Sequence, residues 1–339
     1  MENSISRILV GTAVKEAIKS IKDDSDRGIR NLIDMALQLS EGRFQQNFFS
    51  AAQTMLQNEH SAYYGLVRDT ISNADADRLY TFGMNLGYNG CTVGAQRIRE
   101  NERNMGCNIP WAFTIQIDGS HFEENLQRYH AVIWEGESLG DYVWMLFAME
   151  HPQKVLSLVA EHEDSAFCIF CKAEDLTEEF LEEAKGLLNT MIVVRYEENA
   201  ADICTMLKNM GLLYSVWYPY GETDTEAILN GDLFCSAQQF SPLFTVLLAE
   251  QGCPGIVQDL AYQVLNQARN EQTYRTMLWA LREDNSRIDS IISGDACSVY
   301  FDCDGYICEQ GNRLESQYNN LFQNSLAEIL KSSCPKESR

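Results

Sequence analysis

The sequence predicts an α/β protein with a parallel central sheet. The first hundred or so residues carry only helical patterns, whereas short apolar segments alternate with amphipathic helices from Trp111 onward. Four of these segments begin at positions 142, 166, 191 and 212, a spacing of 21 to 25 residues that fits strand–helix units with short loops. Parallel strands are covered on both faces, and the continuously apolar run over 142–149 is typical of them.

The N-terminal region predicts three amphipathic helices, because its apolar residues recur mostly at every third or fourth position. These periodic residues lie within 5–18, 29–37 and 44–56. A turn-rich stretch over 85–90 follows later, and a charged helix is expected from about position 93 to about position 104. We therefore expect a helical N-terminal unit over residues 1–106.

The central region predicts strands separated by helices. The strand-like segments are 111–118, 142–147, 166–171, 191–196, 212–218 and 243–248. Amphipathic helices are predicted over 176–188 and 203–210, and Gly211 is expected to end the second. A helix over 256–265 and a strand-like segment over 274–281 complete this region.

The C-terminal region predicts a β-hairpin followed by one helix. Val299, Phe301 and Cys303 alternate with other residues before the dipeptide 304–305, which reads Asp-Gly and favours a tight turn. An amphipathic helix is expected at the end, where the apolar residues of 321–330 recur at helical spacing.

Charge and composition exclude several classes of protein. The chain has 339 residues, with 26 Lys plus Arg against 49 Asp plus Glu, and a net charge of −23 would repel a nucleic-acid backbone. The longest apolar run is the eight residues 142–149, too short to span a bilayer, and the N-terminus lacks a secretory pattern. We expect a cytoplasmic protein with no nucleic-acid or membrane partner. Its eleven scattered cysteines are expected to be small apolar side chains rather than disulfides.

The order of several motifs resembles a known family. The stretches 85–89 (NLGYN), 95–100 (AQRIRE), 108–111 (NIPW) and 166–170 (AFCIF), together with the 293–305 hairpin region, resemble bacterial radical S-adenosylmethionine (SAM) proteins with a C-terminal SPASM-like extension. The resemblance implies a partial parallel (βα)6 TIM-like barrel over 107–290. It also implies a SPASM-like remnant over 291–339.

The motif that defines the chemistry of that family is missing. Its members carry three cysteines, spaced C-x3-C-x2-C, after the first strand, and their thiolates bind a [4Fe-4S] cluster. The matching loop here, Asp118 to Asn125, contains no cysteine. The family's Gly-Gly-Glu-Pro motif, which positions SAM, is matched by Ala148-Met149-Glu150-His151-Pro152, without either glycine.

The degenerate cofactor positions are Ser120, His121, Glu150, His151 and Pro152. Positions expected to hold auxiliary-cluster cysteines carry other residues, namely Ile291 and Gln310. We therefore predict no [4Fe-4S] cluster and no cleavage of SAM. No catalytic residue is predicted, and the chain is expected to be a pseudoenzyme that acts as a binding or regulatory module. The alternative is a radical SAM or metal-assisted enzyme with non-standard ligands on the same barrel.

Two groups of residues could bind a metal, although a structural interpretation is favoured for each. His121, Glu150 and His151 follow adjacent strands and could supply a two-histidine, one-carboxylate site, but solvated rim residues are the simpler interpretation. Cys303 and Cys308 flank the hairpin turn, with Cys297 nearby in sequence, and lack an evident fourth ligand. His60 and His162 have polar neighbours and are expected at the surface.

A ligand cleft is expected where parallel strands end, because α/β folds place their sites at that edge. The candidate residues that follow the later strands are Arg195, Tyr196, Tyr218 and Tyr220. Tyrosine offers rigid contact area with a polar tip, and arginine binds carboxylates. We therefore expect a peptide or a small acidic metabolite as the ligand.

Overall fold

A computed structural model describes residues 2–23, 25–40, 43–297, 299–309, 311–314 and 316–336. These residues form two compact units, and each unit combines two stretches of the chain. The first unit comprises Met1–Tyr80 and Ile192–Asp284, and the second comprises Thr81–Met191 and Asn285–Arg339. These units are defined by spatial contact and each combines two stretches of the chain, so they are not equivalent to the predicted segments. The segments 1–106, 107–290 and 291–339 remain predictions.

The described part of the chain contains ten strands and fifteen α-helices. The strands are β1 (Phe113–Gln116), β2 (Val143–Phe147), β3 (Ala166–Cys171), β4 (Thr190–Arg195), β5 (Tyr214–Tyr220), β6 (Phe244–Ala249), β7 (Met277–Ala280), β8 (Val299–Phe301), β9 (Ile307–Glu309) and β10 (Asn312–Arg313). The helices are α1 (Glu2–Asp23), α2 (Ser25–Leu39), α3 (Arg43–Met55), α4 (Ala62–Asn73), α5 (Ala76–Gly83), α6 (Ala95–Met105), α7 (Phe122–Leu139), α8 (Lys154–Ala160), α9 (Glu178–Lys185), α10 (Ala200–Asn209), α11 (Thr225–Leu229), α12 (Asp232–Ala237), α13 (Gly255–Glu271), α14 (Leu281–Ser293) and α15 (Leu326–Ser333).

The first unit begins with helices α1 to α4, which confirm the three helices predicted from apolar spacing. Their shared core contains Ile21, Ile29, Leu56, Tyr64 and Ile71, one or two residues from each helix or its end. Other apolar residues within the predicted periodic segments, such as Leu9 and Phe48, are more than half exposed, so only part of the periodic pattern corresponds to buried side chains.

Strands β4 to β7 of the first unit pair in chain order, and every pair is parallel. Helices α10 and α13 connect consecutive strands, as the spacing of the apolar segments predicted. Gly211 follows α10 with φ of +71°, a backbone conformation that favours glycine, so the predicted helix stop is confirmed. The 274–281 segment contains β7, so the described residues have seven strands in the strand–helix series, one more than the (βα)6 barrel that the resemblance implied.

The second unit contains β1, β2 and β3, which also pair in parallel. Strand β8 adds to the free edge of β1 in parallel, and β9 and β10 extend the sheet as antiparallel strands. The predicted hairpin is therefore present, and Gly305 at its turn has φ of +80°. The parallel α/β class is confirmed in both units.

The stretch predicted as a turn before α6 is instead a π-helix, Met84–Gly94, that continues directly into α6. Its asparagines explain why this sequence forms a helix. Asn85 Nδ2 donates to the carbonyl oxygens of Glu163 (2.7 Å) and Ser165 (2.9 Å), and Asn89 Nδ2 donates to that of Asp164 (2.7 Å). The two amides hold the loop before β3, and this long-range pairing outweighs the local turn propensity.

Among the described residues, no helix is long and apolar enough to cross a membrane.

Candidate functional site

The loop after β1 is organised around the carboxylate of Asp118. Its Oδ1 accepts hydrogen bonds from the backbone nitrogens of Ser120 (2.8 Å) and His121 (3.3 Å), a turn typical of aspartate. Lys154 Nζ donates to the carbonyl oxygen of Gly119 at 2.9 Å and fixes the other side of the loop. The loop is therefore closed by hydrogen bonds between oxygen and nitrogen groups.

His121 forms a close pair with the same carboxylate. Its Nδ1 lies 2.6 Å from Asp118 Oδ2, and its side chain is 61% exposed. Because a carboxylate only accepts, Nδ1 carries the proton, and in the neutral form of the ring Nε2 presents a lone pair. The hydrogen bond to Asp118 raises the pKa of His121, and the same contact lowers the pKa of Asp118. This pair could accept a proton or hold a ligand at the sheet edge.

The segment after β2 lies against this loop. A Cβ atom on Gly119 would come within 2.4 Å of the Glu150 carbonyl oxygen, so the two segments are in close contact. His151 has φ of +53°, in the left-handed region that glycine favours. This segment therefore holds a histidine in a backbone conformation that costs least for glycine. Glu150 and His151 are exposed, whereas Pro152 is buried.

The described residues contain no group of three or more histidine, cysteine, aspartate or glutamate side chains placed to hold a metal ion. His121, Glu150 and His151 therefore do not form such a group here, although they lie on neighbouring loops. Cys303 is exposed, and Cys308 is buried with its sulfur 3.6 Å from Asp302 Oδ2.

Residues Arg195, Tyr196 and Tyr218 lie together in the first unit, where β4 and β5 end. The Arg195 guanidinium stacks 5.6 Å from the Trp217 ring, and the rings of Tyr196 and Tyr218 are 5.9 Å apart. The Tyr218 hydroxyl donates to Asp224 Oδ1 at 2.7 Å. Tyr220 is only 3% exposed and belongs to the core of this unit, so it offers no surface to a ligand.

Carboxylates surround the end of β5. Burial raises the pKa of Cys253, and Glu250, Glu222 and Asp224 raise it further through their negative charge. Burial raises the pKa of Tyr218 to about 12, and the neighbouring Asp224 and Glu250 contribute to this shift. The electrostatic environment of this aromatic group is therefore negative.

A buried pair of histidines in the second unit was missed by sequence reasoning. His130 Nδ1 lies 3.1 Å from His162 Nε2, and His162 Nδ1 lies 3.3 Å from Glu137 Oε1. Both residues are 2% exposed, so the expectation that His162 lies at the surface is wrong. Burial lowers the pKa of His130, although Glu161 partly opposes that effect. The one sequence feature that could have indicated burial is the apolar face of α7 around His130. No local pattern could have paired His130 with His162, because the two residues are 32 positions apart.

No protein-family model and no curated protein sequence matches this chain. Solved structures do match. The crystal structure of Streptococcus suis SuiB aligns with a TM-score of 0.50 at 10% identity and covers 68% of each chain. SuiB bound to S-adenosylmethionine aligns with a TM-score of 0.50 at 10% identity, over 69% of this chain and 68% of that one. SuiB bound to the precursor peptide SuiA aligns with a TM-score of 0.48 at 11% identity, over 68% and 67%.

At this identity the likeness to SuiB shows the fold alone. It supports the radical SAM fold that the sequence motifs implied, and it agrees with the parallel strands of both units. The SPASM-like assignment of 291–339 and the loss of function remain predictions.

Proposed function

We propose that this chain is a radical-SAM-like protein that has lost its iron–sulfur and SAM motifs and serves as a binding or regulatory module. The observation that carries the proposal is the loop after β1, which has no cysteine between Asp118 and Asn125. A [4Fe-4S] cluster needs thiolate ligands, and the loop supplies carboxylate, hydroxyl and imidazole groups instead. The internal hydrogen bonds of Asp118 occupy both of its oxygens.

Anaerobic reconstitution tests this proposal. We expect the full chain, incubated with ferrous iron and sulfide, to retain neither in stoichiometric amount. With SAM and a strong reductant it should release no 5′-deoxyadenosine, while a known radical SAM enzyme treated in parallel does. Stoichiometric iron with acid-labile sulfide would contradict the proposal.

A metal-assisted enzyme is the second candidate, and the Asp118–His121 pair is the observation that favours it. A carboxylate that orients a histidine is common behind metal ligands and general bases. Metal analysis of the same samples distinguishes the two candidates. Tight binding of iron or zinc without sulfide, abolished by His121→Gln and unaffected by His60→Gln, would favour the enzyme.

The ligand that we propose for the binding module is a peptide, bound at Arg195, Tyr196 and Tyr218. The aromatic rings supply contact area, and Arg195 can pair with a carboxylate of the peptide. A small acidic metabolite suits this place less well, because Glu222, Asp224 and Glu250 make the end of β5 negative. A peptide can place basic side chains against those carboxylates.

A further inference from the structure

The two buried histidines of the second unit belong to a continuous row of polar groups. The row runs from Glu161 through His130 and His162 to Glu137 and Ser165. Its successive contacts are 3.8 Å from Glu161 Oε1 to His130 Nε2, 3.1 Å between the two rings, 3.3 Å from His162 Nδ1 to Glu137 Oε1, and 2.7 Å from Ser165 Oγ to that same oxygen. The Glu161 side chain is 60% exposed and that of Glu137 is 20% exposed, so the Glu161 end is the more accessible to water.

The hydrogen bonds determine which ring nitrogens carry a proton. A carboxylate only accepts, so His162 Nδ1 donates to Glu137, and in the neutral ring Nε2 of His162 presents a lone pair. His130 Nδ1 then donates to that lone pair, which leaves Nε2 of the neutral His130 ring without a proton. Nε2 faces the Glu161 carboxylate at 3.8 Å, so two groups that can only accept lie opposite each other. This contact is the one place in the row that lacks a donor.

One added proton completes the row. When it binds to His130 Nε2, it supplies the missing donor toward Glu161, and every N–H group of the two rings then faces an acceptor. A second proton would set the Nδ1–H of His130 against an Nε2–H of His162, between two rings that are each 2% exposed. The pair can therefore hold only one added proton while the contact between the rings persists.

The row is attached to a loop that also holds the π-helix. Residues 161–165 form the loop between α8 and β3, and the contacts of the row join it to α7. Carbonyl oxygens in this loop accept hydrogen bonds from Asn85 and Asn89 of the π-helix. The loop backbone is thus held from both sides, and the freedom that remains lies in the exposed side chain of Glu161.

We propose that His130 and His162 form a pH-sensitive switch that takes up one proton per pair and closes Glu161 onto His130. Above the transition both rings are neutral and the Glu161 carboxylate stays at 3.8 Å. Below it, the His130 imidazolium donates from Nε2 to Glu161 and from Nδ1 to His162. The proton comes from solvent, the pair gains one positive charge, and the new ion pair adds a second attachment of the loop to α7.

The groups that face the pair determine where the transition lies. Among the described residues, the carboxylates in contact with the rings are those of Glu161, directly after α8, and Glu137, on α7. The other neighbouring rings, those of Trp134 on α7 and Phe167 on β3, are uncharged. Burial lowers the pKa of His130, and Glu161 opposes that effect only in part. The transition should therefore lie below about pH 6.5.

The switch lies outside the residues assigned to ligand binding, so the inference goes beyond the proposed function. NMR titration of the full chain between pH 4.5 and pH 8 tests it, with the ring nitrogens of the five histidines assigned through the backbone. We expect His130 and His162 to follow one common transition in which the two rings together gain one proton. In the neutral state both rings should be the Nδ1–H tautomer. The exposed His60 should titrate independently of them.

Tryptophan emission gives a second measurement of the same transition. The Trp134 ring is 51% exposed and lies 5.5 Å from the His130 ring and 5.4 Å from the His162 ring. An imidazolium accepts an electron from excited indole more readily than a neutral imidazole does. The emission should therefore fall as pH decreases, with the midpoint found by NMR, and Trp134→Phe should remove this change.

Two matched variants test the role of Glu161. Glu161→Gln removes the carboxylate that closes onto the ring and should shift the midpoint to lower pH. Glu163→Gln removes an exposed charge from the same loop and should shift it much less. Both side chains are exposed, so neither substitution disturbs the core. Separate transitions that add two protons above pH 5, an Nε2–H tautomer in either neutral ring, or equal shifts for the two variants would overturn the inference.

Discussion

At the scale of single residues, His121 and His130 have opposite environments within one unit. The hydrogen bond to Asp118 raises the pKa of the exposed His121, whereas burial lowers the pKa of His130. Since an unperturbed histidine titrates at about 6.5, one titration by NMR should place His121 above that value and His130 below it. The variants His121→Asn and His130→Asn assign the two resonances. Equal midpoints for the two histidines would show that these contacts are absent in solution.

The same shifts determine how each histidine affects stability as pH changes. His121 binds its proton more tightly in the folded state, so its contribution is present below about pH 6.5 and disappears as pH rises through its folded pKa. His130 binds its proton more tightly in the unfolded state, so its contribution is present above about pH 6.5 and disappears as pH falls. Urea unfolding of the His130→Asn variant between pH 5 and pH 7.5 should therefore show a weaker acid destabilisation than that of the wild type.

At the scale of elements, the π-helix before α6 depends on one close backbone approach. A Cβ on Gly94 would lie 2.3 Å from the carbonyl oxygen of Gly140, and that backbone atom cannot move aside easily. Gly87 belongs to the same π-helix, and a Cβ there would meet nothing within 4 Å. We expect Gly94→Ala to lower the free energy of unfolding by about 3 kcal/mol.

Gly87→Ala is the matched control for that substitution. It should leave the free energy of unfolding unchanged or raise it by up to about 1 kcal/mol, because alanine loses less backbone entropy on folding. Chemical denaturation of the two variants measures the difference. Similar values for both would mean that Gly94 does not approach Gly140 in solution.

Periodicity is a local property, and for that reason the elements themselves could be predicted well. The segments 166–171 and 243–248 form β3 and β6, nearly at the predicted bounds, because their side chains are buried on both faces. The π-helix could not be predicted, since glycine and asparagine locally favour a turn. Its asparagines form helix only because they bind the loop before β3.

At the scale of the whole molecule, the charge of −23 bears on the choice of ligand. Against immobilised random dodecapeptides, we expect the wild-type chain to retain a subset enriched in lysine and arginine, and to release it as salt increases. The double variant Arg195→Ala/Tyr218→Ala should lose this subset with little change in melting temperature. Its control is Arg103→Ala, which removes an exposed cation from α6.

Two results would count against the peptide site. Retention of the same subset by the double variant would place binding elsewhere on the chain. A large fall in its melting temperature would assign Arg195 and Tyr218 a structural role, through the Trp217 stack and the bond to Asp224.

The sequence by itself determined the parallel α/β class, the C-terminal hairpin and the absence of thiols after β1. Apolar spacing and residue type are sufficient to predict these features. Only the tertiary structure decided which distant residues meet. It brings His130 to His162, removes Tyr220 from the surface, and gives His151 a left-handed backbone. These contacts depend on how helices and loops pack, and packing is a property of chain segments that are far apart in sequence.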